Sequence, residues 1–533
     1  MLRQALTCSE TQSWFTTKMS SDKKQDFMLT KIIATVGPAS DSEQMIKKLI
    51  LEGVRVFRIN FSHGTLDDHK EVYRRIRKVS SEMKMPVGIL GDLPGPKIRI
   101  GNVKEPGFQL ENGRLVEFQK EDITGSLPGK KEQPIVFSTT FPGFIDEVSA
   151  GEKVLLDDGN IELLCLEKKN DRIICEVIDG GWITSSKGVN LPDTDLSVPS
   201  LTVKDISCLE FAVRMGFDFL ALSFVRSGSD IRLLKDHLKE LGARPRLPFY
   251  EENITYSDGD RSEELANLMP VISKIEKPQA ISDLKSIIHE TDAIMVARGD
   301  LGVEMDLAEV AVLQKRIITM CKDDGVPVIV ATQMLQSMVD SPVPTRAEVS
   351  DVANAIFDGA DAVMLSGETA IGKYPVEAVR MMRRISRKTS RYMDEIALDP
   401  SLVKLPERYP HRNAAIAHGV KMMARELDAR YIVLWSQFGG EGVLISQQRM
   451  TRPVLAFTER ERSINQLSLL YGLHPERMDR PESGSSFIRQ VEQLLLERKW
   501  AEKGDIIIIA LGEPIDRIGV TNRLVVHIMG EAQ

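Results

Sequence analysis

The chain has 533 residues, of which 42% are hydrophobic and 27% are charged, and both fractions are close to those of ordinary globular proteins. At roughly 150 residues per domain, this length predicts three or four domains. The net charge is −8, from 69 lysines and arginines against 77 aspartates and glutamates. Because nucleic-acid binding needs a broad basic surface, this charge balance argues against a nucleic-acid partner.

The cysteines and the hydropathy pattern bear on the compartment. The five cysteines are Cys8, Cys165, Cys175, Cys208 and Cys321. They are too few and too scattered for a disulfide framework, and a reducing, cytoplasmic location is expected. No apolar run approaches the roughly 20 residues that a membrane span needs. Residues 1–30 have little hydrophobic pattern and are expected to form a disordered tail, with organelle targeting as the alternative.

Eight short β-rich runs alternate with amphipathic helical stretches such as residues 70–78. In chain order the runs are residues 31–36, 54–61, 86–92, 217–225, 271–276, 293–298, 326–332 and 362–366. They are nearly continuously apolar, as parallel strands covered on both faces must be. The pattern predicts a (β/α)8 barrel over residues 31–101 and 198–400. An open doubly wound sheet is the structural alternative.

Two segments interrupt this alternation, and a different pattern follows it. Residues 102–197 contain short strand patterns separated by Asp-Gly turns, which predicts a small β-barrel domain. This domain is inserted after the carboxyl end of the third strand, on the face where barrel active sites are built, so it is expected to act as a lid. Residues 244–269 precede the fifth strand and are expected on the opposite, stabilising face. Residues 401–533 predict a separate open α/β domain.

The most informative run for chemistry is the fifth. Side chains alternate along a strand, so Lys274 and Glu276 point to the same side. The next strand ends in Gly299 and Asp300, which places a second carboxylate at the same mouth. Two carboxylates on adjacent strands suit Mg²⁺ or Mn²⁺. The alternative is a Lys274–Glu276 salt bridge with Asp300 as a helix cap.

Further cations follow the early strands. Arg58 lies in the second run and Arg99 follows the third, so positive charge converges on the same mouth. A phosphoryl group in transfer carries negative charge that a metal, a lysine and an arginine can stabilise. The pattern therefore predicts a phosphorylated substrate. Thr332 and the run 366–369 add hydroxyls at later strand ends, although helix caps explain them equally well.

At this point several motifs, in order, resemble the pyruvate kinase family over residues 31–395. The motifs are residues 33–40, 58–64, 273–277, 297–304, 331–338 and 365–375. The resemblance implies a (β/α)8 barrel, a mobile lid and a C-terminal regulatory domain, assembled as a homotetramer. It also implies transfer of the phosphoryl group of phosphoenolpyruvate to ADP, the last step of glycolysis.

The resemblance also implies roles for single residues. Glu276 and Asp300 would bind Mg²⁺, Lys274 would stabilise the transferring phosphoryl group, and Arg58 would hold the phosphate of phosphoenolpyruvate. The substrate carboxylate would meet the backbone of Arg298, Gly299 and Asp300 together with Thr332, which would also lie near the proton route to the enolate carbon. The implied ADP contacts are Asn60, His63, Arg99 and Lys187.

One departure from the family pattern concerns potassium. Many members hold K⁺ with residues that correspond here to Asn60, Ser62, Asp92 and Leu93. Potassium-dependent members have an acid a few residues later, where this chain has Lys97. A tethered ammonium can supply the charge of K⁺ and would repel a second cation. We therefore expect activity without K⁺.

The C-terminal domain departs further. The usual effector loop, rich in Ser and Thr, is replaced by residues 436–442, and residues 513–517 add acids. Activation by fructose 1,6-bisphosphate is therefore not expected.

The residues leave two alternative functions open. One is a metal-dependent C–C lyase on a related barrel, against which Lys274 and the lid argue. The other is a degenerate, non-enzymatic binding protein.

Overall fold

The computed structural model describes residues 27–130, 133–194, 197–244, 267–396, 411–515 and 521–531. The predicted disorder of residues 1–26 and most of the insertion 244–269 lie outside these described residues. Phe27, within the predicted tail, packs its ring against Tyr431 and Trp500. Among the described residues, none of the helices has the length and apolar character needed to cross a membrane.

The chain begins with three strands and two helices that alternate. They are β1 (Lys31–Thr35), α1 (Glu43–Glu52), β2 (Val54–Asn60), α2 (Leu66–Met83) and β3 (Gly88–Asp92). Helix α2 starts at a capping box, in which Thr65 and Asp68 each accept the other's backbone N–H. Helix α1 ends at Gly53, whose φ of 119° is one that residues with a Cβ rarely adopt.

The inserted domain follows β3. It contains β4 (Phe108–Gln109), β5 (Leu115–Gln119), β6 (Ile135–Phe137), α3 (Phe144–Glu147), β7 (Lys153–Leu156), β8 (Ile161–Lys168), β9 (Arg172–Asp179), β10 (Trp182–Ile183) and β11 (Val189–Asn190). Its strands form a six-stranded sheet in the order β11-β7-β8-β9-β5-β6 and a two-stranded sheet of β10 and β4. The buried side chains form a hydrophobic core separate from that of the barrel.

The remaining barrel strands alternate with helices. The strands are β12 (Phe219–Leu222), β13 (Val271–Ile275), β14 (Ala293–Ala297), β15 (Val328–Ala331) and β16 (Ala362–Leu365). The helices are α4 (Val203–Met215), α5 (Gly228–Glu240), α6 (Pro278–Ser282), α7 (Leu284–Glu290), α8 (Arg298–Glu304), α9 (Leu307–Asp324), α10 (Arg346–Asp358), α11 (Gly367–Ala370) and α12 (Pro375–Glu395), with a 3₁₀ turn at Gln336–Val339.

The eight parallel strands close into a barrel in the order β1-β16-β15-β14-β13-β12-β3-β2. This confirms the predicted (β/α)8 barrel and excludes the open doubly wound sheet. Side chains such as Ile33 and Met295 fill the interior, and Leu469 of the C-terminal domain joins this cluster. A larger apolar cluster lies between the strands and the helices. Because the strands are parallel, their carboxyl ends all open on one face.

The C-terminal part forms an open α/β sheet, as predicted. Its elements are α13 (His411–Glu426), β17 (Tyr431–Trp435), α14 (Gly440–Gln447), β18 (Val454–Thr458), α15 (Glu461–Leu467), β19 (Leu473–Arg477), α16 (Gly484–Glu497), β20 (Ile506–Leu511) and β21 (Arg523–Ile528). The strand order is β19-β18-β17-β20-β21, with only β21 antiparallel. Gln466 donates to the carbonyls of Asp218 and Leu268, which ties this domain to the amino-terminal end of the barrel.

The described ends of the 244–269 insertion lie at that same end of the barrel. Arg244 and Leu268 pair as an isolated β-bridge just before β13 begins. The insertion therefore starts and finishes on the face opposite the carboxyl ends of the strands.

Candidate active site

A cavity of about 350 Å³ lies at the carboxyl ends of the barrel strands, beneath the inserted domain. Polar and charged groups dominate its lining, and both domains contribute them. The lining residues are Arg58, Asn60, Ser62, His63, Pro94, Lys97, Arg99, Asp157, Asp158, Ser186, Lys187, Gly188, Ser223, Phe224, Lys274, Glu276 and Asp300. Arg58, Arg99, Lys274, Glu276 and Asp300, which sequence analysis assigned to different strands, therefore meet in one cavity, whereas Thr332 and residues 366–369 are not among its lining residues.

Lys274 is the central cation of the cavity. Its Nζ lies 2.9 Å from Glu276 Oε1 and 2.8 Å from Ser223 Oγ, and 3.5 Å from Asp92 Oδ1. Burial by itself would lower the pKa of Lys274, but the carboxylates of Asp92 and Glu276 outweigh it and raise the pKa. The ammonium is therefore charged at neutral pH. The salt bridge of the alternative reading is present, and it forms part of the cavity wall.

The buried Asp92 carboxylate contacts two cations of the cavity, Arg58 and Lys274. Its Oδ2 lies 2.6 Å from both Nε and Nη2 of Arg58, while its Oδ1 faces Lys274. Burial alone would raise the pKa of this carboxyl, but the charges of Lys274 and Arg58 lower it. Arg58 also donates to Thr35 Oγ1 at 3.1 Å. Sequence reasoning gave Asp92 only a potassium role and missed its contact with both cations.

Ser223 is a second residue that sequence reasoning missed. Its hydroxyl accepts from Lys274 and donates to the carbonyl of Leu93 at 2.7 Å. Ser223 directly follows the β12 strand residue Leu222, at the carboxyl end where the other site residues lie. A hydroxyl at a strand end was the available clue, and the same rule had drawn attention to Thr332.

Removal of the Asp92 carboxylate should destabilise the barrel strongly. In an Asp92→Ala variant, the buried Arg58 and Lys274 lose a shared counter-ion, and such losses cost about 3–5 kcal/mol. The matched control is Asp146→Ala in the inserted domain, whose exposed ion pair with Lys120 is worth at most about 1 kcal/mol. Urea unfolding followed by tryptophan fluorescence would measure both. Equal losses of unfolding free energy in the two variants would contradict the role of Asp92 as the buried counter-ion of Arg58 and Lys274.

Glu276 and Asp300 provide the two predicted carboxylates. Glu276 Oε2 accepts the backbone N–H of Phe224 at 2.7 Å, and Phe224 adopts a positive φ of 54°. Burial and the nearby charge of Asp300 raise the pKa of Glu276, although Lys274 opposes them. A cation would offset the repulsion between the two carboxylates, and their oxygens are donors that Mg²⁺ prefers. The residues therefore fit a divalent metal, although the described residues contain no cluster of three or more potential His, Cys, Asp or Glu ligands.

Gly299 and Thr332 approach each other closely. The backbone N–H of Gly299 donates to Thr332 Oγ1 at 2.6 Å, and a Cβ at Gly299 would lie 3.2 Å from that oxygen. Thr332 has a φ of 65°, which is uncommon for a β-branched residue and stores backbone strain. This contact brings a hydroxyl from the end of β15 to the start of α8.

The Arg298 side chain does not point into the cavity. Its Nη1 lies 2.6 Å from Asp351 Oδ1 on α10, and its Nη2 donates to the carbonyl of Thr332 at 3.1 Å. Only the backbone of Arg298 is therefore placed for the carboxylate role that the resemblance implies.

The predicted nucleotide residues Asn60, His63, Arg99 and Lys187 all line the cavity. Lys187 Nζ lies 2.6 Å from Asp157 Oδ1, and Arg99 Nη1 donates to the carbonyl of Ser186 at 2.8 Å. Asn60 Oδ1 accepts the N–H of Ser62 at 3.1 Å. The fourth of these residues, His63, has its pKa lowered, first by burial and then by the charges of Arg99 and Lys97.

Lys97 lies in the same cavity but contacts the inserted domain. Its Nζ is 3.8 Å from Asp158 Oδ1, and about a third of its side chain is exposed. The Asp92 carboxylate is instead held by Arg58 and Lys274. Lys97, Asn60 and Ser62 line one cavity together with the two cations on Asp92.

The loop of residues 436–442 is closed by its own side chains. Ser436 Oγ donates to Glu441 Oε2 at 2.6 Å and accepts the N–H of Gly439 at 3.0 Å. Burial raises the pKa of Glu441. The hydroxyl and one amide of this loop are therefore already engaged. In the other acidic segment, Asp516 and Arg517 lie outside the described residues.

The comparisons with known proteins agree with the geometry. The family model described as "Pyruvate kinase, barrel domain" matches residues 27–247 and 260–379, and "Pyruvate kinase, alpha/beta domain" matches residues 414–527. Pyruvate kinases of Corynebacterium efficiens and Mycobacterium tuberculosis are 39% and 38% identical, each over 94% of this chain and 98% of the relative. A crystal structure of a pyruvate kinase from Cryptosporidium parvum superposes with a TM-score of 0.82 at 32% identity, over 94% of this chain and 96% of that one. The chain is thus a phosphotransferase that belongs to the pyruvate kinase family.

Proposed function

We propose that this chain transfers the phosphoryl group of phosphoenolpyruvate to ADP, giving pyruvate and ATP, as the last step of glycolysis. The observation that carries the proposal is the Lys274 ammonium, held 2.9 Å from Glu276 in a cavity that Arg58 and Asp300 also line. The transferring group carries negative charge on its equatorial oxygens, and cations positioned beforehand stabilise that charge.

Arg58 binds the phosphate of phosphoenolpyruvate, and Lys274 stabilises the phosphoryl group during transfer. Both are anchored on Asp92, which fixes their positions before the substrate arrives. Because the two side chains are buried, their charges act through a medium less polar than water. Little reorganisation is then needed at the moment of transfer.

The carboxylate end of the substrate lies against the backbone of Arg298, Gly299 and Asp300 and the hydroxyl of Thr332. Gly299 N and Thr332 Oγ1 lie 2.6 Å apart and bond to each other, so both groups are within reach of one carboxylate that would take the place of this bond. Thr332 lies on the route by which a proton reaches the enolate carbon of enolpyruvate. Ketonisation of enolpyruvate then drives phosphoryl transfer forward.

Mg²⁺, or Mn²⁺ in its place, is the proposed divalent cation, and Glu276 and Asp300 are the residues that would hold it. Burial and the charge of Asp300 raise the pKa of Glu276, which supports a site where a bound cation would be stabilising. When bound, the cation supplies charge neutralisation for the substrate oxygens.

ADP is proposed to bind beneath the inserted domain, with contacts from Asn60, His63, Arg99 and Lys187. All four line the same cavity. Lys187 is paired with Asp157 in the structure, so an ADP phosphate would replace the Asp157 carboxylate as the partner of Lys187.

Activity without K⁺ is proposed from Lys97. Its ammonium lines the same cavity as Asn60 and Ser62, where it adds one positive charge. An added monovalent cation there would be repelled by Lys97 as well as by Arg58.

The remaining assignments concern the whole molecule. The inserted domain, at residues 102–197, acts as a lid, and the domain after residue 400 is regulatory, within a homotetramer. The engaged hydroxyl of Ser436 supports the absence of activation by fructose 1,6-bisphosphate. Cys165, Cys175 and Cys208 are buried and free, which supports a cytoplasmic location. Light scattering would test the tetramer.

The first experiment is a coupled assay of pyruvate formation from phosphoenolpyruvate, ADP and Mg²⁺ in Na⁺ buffer, with and without added K⁺. We expect equal rates in the two buffers, because Lys97 supplies the monovalent charge. A rate that requires K⁺ would keep the reaction and reject the role of Lys97. Folded protein that forms no pyruvate under either condition would reject the proposed function.

A further inference from the structure

A buried carboxylate at the end of α8 joins three parts of the structure. Glu304 Oε1 accepts hydrogen bonds from Lys277 Nζ at 2.6 Å and from Asn190 Nδ2 at 2.7 Å. The Glu304 side chain is 1% exposed and that of Lys277 is 12% exposed, so water barely screens the ion pair. Asn190 belongs to the inserted domain, whereas the other two residues belong to the barrel.

Each of these segments also carries residues of the proposed site. Lys277 directly follows Glu276, and Glu304 lies one helical turn after Asp300 on α8. Asn190 ends β11, three residues after Lys187. One carboxylate therefore links the chain segments that bear the proposed metal residues to the segment that bears a proposed nucleotide residue.

Apolar and charged residues both line the contact between the two domains beside this bond. A cavity of about 40 Å³ lies there, and Val189, Val198, Phe224 and Val303 are among its lining residues. The apolar contacts are not directional and do not fix one orientation of the inserted domain. The ion pair between Lys97 and Asp158 is long, at 3.8 Å, and exposed to water, so it fixes the orientation only weakly. A hydrogen bond to a charged acceptor is directional and stronger than a neutral one. The bond between Asn190 and Glu304 is suited to set that orientation.

We propose that Glu304 is a positioning residue that holds the inserted domain over the cavity through Asn190, while Lys277 neutralises its charge. The inference rests on the proposed function in one respect, namely that ADP contacts come from the inserted domain. When the Asn190–Glu304 bond is broken, the domain moves away from the barrel more often, and Lys187 leaves the ADP phosphates. The barrel residues that hold phosphoenolpyruvate stay in place.

The test uses the full-length protein and an Asn190→Ala variant, which leaves the Lys277–Glu304 pair intact. We expect the KM for ADP to rise about tenfold, the size of one hydrogen bond to a charged group, with the KM for phosphoenolpyruvate unchanged. The position of the domain is measured separately, without substrates. Spin labels are attached to cysteines introduced by Leu166→Cys in the inserted domain and Lys239→Cys in the barrel, in a Cys8→Ser background, and the distance between the labels is measured. The distance distribution should broaden in the variant.

The matched control is Asn112→Ala, since Asn112 accepts the N–H of Gly180 at 2.8 Å entirely within the inserted domain. This variant should keep both KM values and a narrow distance distribution. An Asn190→Ala protein that matches the control in both measurements would overturn the proposal. If the unmodified protein forms no pyruvate, the proposed function fails, and the distance distributions alone decide the role of Glu304.

Discussion

Replacement of Lys274 by methionine is expected to lower kcat by about 10³-fold or more, while the protein stays folded. Methionine keeps most of the side-chain volume but removes the charge that faces Asp92 and Glu276. The loss should appear in kcat rather than in the KM for phosphoenolpyruvate, because the charge acts mainly on the phosphoryl group in transfer. Steady-state kinetics at saturating Mg²⁺ would measure it.

Lys235→Met is the matched control for this prediction. Lys235 is also a buried lysine, but it lies on α5, where it donates to the carbonyl of Glu290. Its replacement should affect thermal stability and leave kcat within a factor of about three. Circular dichroism and thermal melts of both variants would separate misfolding from loss of chemistry. A Lys274→Met enzyme with full activity would refute the phosphoryl-transfer assignment.

Replacement of Lys97 by glutamate should create a K⁺ requirement. The variant replaces a positive charge by a negative one in the cavity that Asn60 and Ser62 also line, which favours a monovalent cation there. We expect K⁺ to stimulate the variant by about tenfold or more, and Na⁺ at the same ionic strength to stimulate it much less. The coupled assay across a K⁺ titration would measure this.

Lys97→Met distinguishes the cation role from the contact with Asp158. Methionine removes the ammonium without adding an acid, so activity should fall and K⁺ should restore little of it. If Lys97 only pairs with Asp158 at 3.8 Å, both variants should keep their activity without K⁺. That result would reject the proposed cation role of Lys97.

The barrel was predictable because its evidence is local. The eight runs are nearly continuously apolar, and the observed strands start and end within two residues of the predicted runs in nearly every case. The largest difference is β12, where the run 217–225 shortens to Phe219–Leu222. There Asp218 pairs with Arg77, and Ser223 and Phe224 turn into the cavity. These polar contacts come from distant segments, so the strand pattern did not contain them.

The site was predictable for the same reason only in part. Strand alternation puts Lys274 and Glu276 on one side, and parallel strands bring Arg58 and Asp300 to the same face. The hydrogen-bond and ion-pair partners of these groups could not be predicted from the same rules. Asp92 beneath two cations, the Arg298 side chain on Asp351, and Lys187 on Asp157 depend on distances between segments far apart in the chain.

Periodicity and motif order were enough to establish the family, the barrel and the residues that converge on its open face, because these follow from repeated local rules. The pairing of charges did not follow from them, since a buried ion pair forms wherever packing brings two groups within a few ångströms. The contact of Lys97 with Asp158 and the carboxylate of Glu304 shared by Lys277 and Asn190 are such cases. Both depend on how the inserted domain sits on the barrel, which only the packing of the two domains sets.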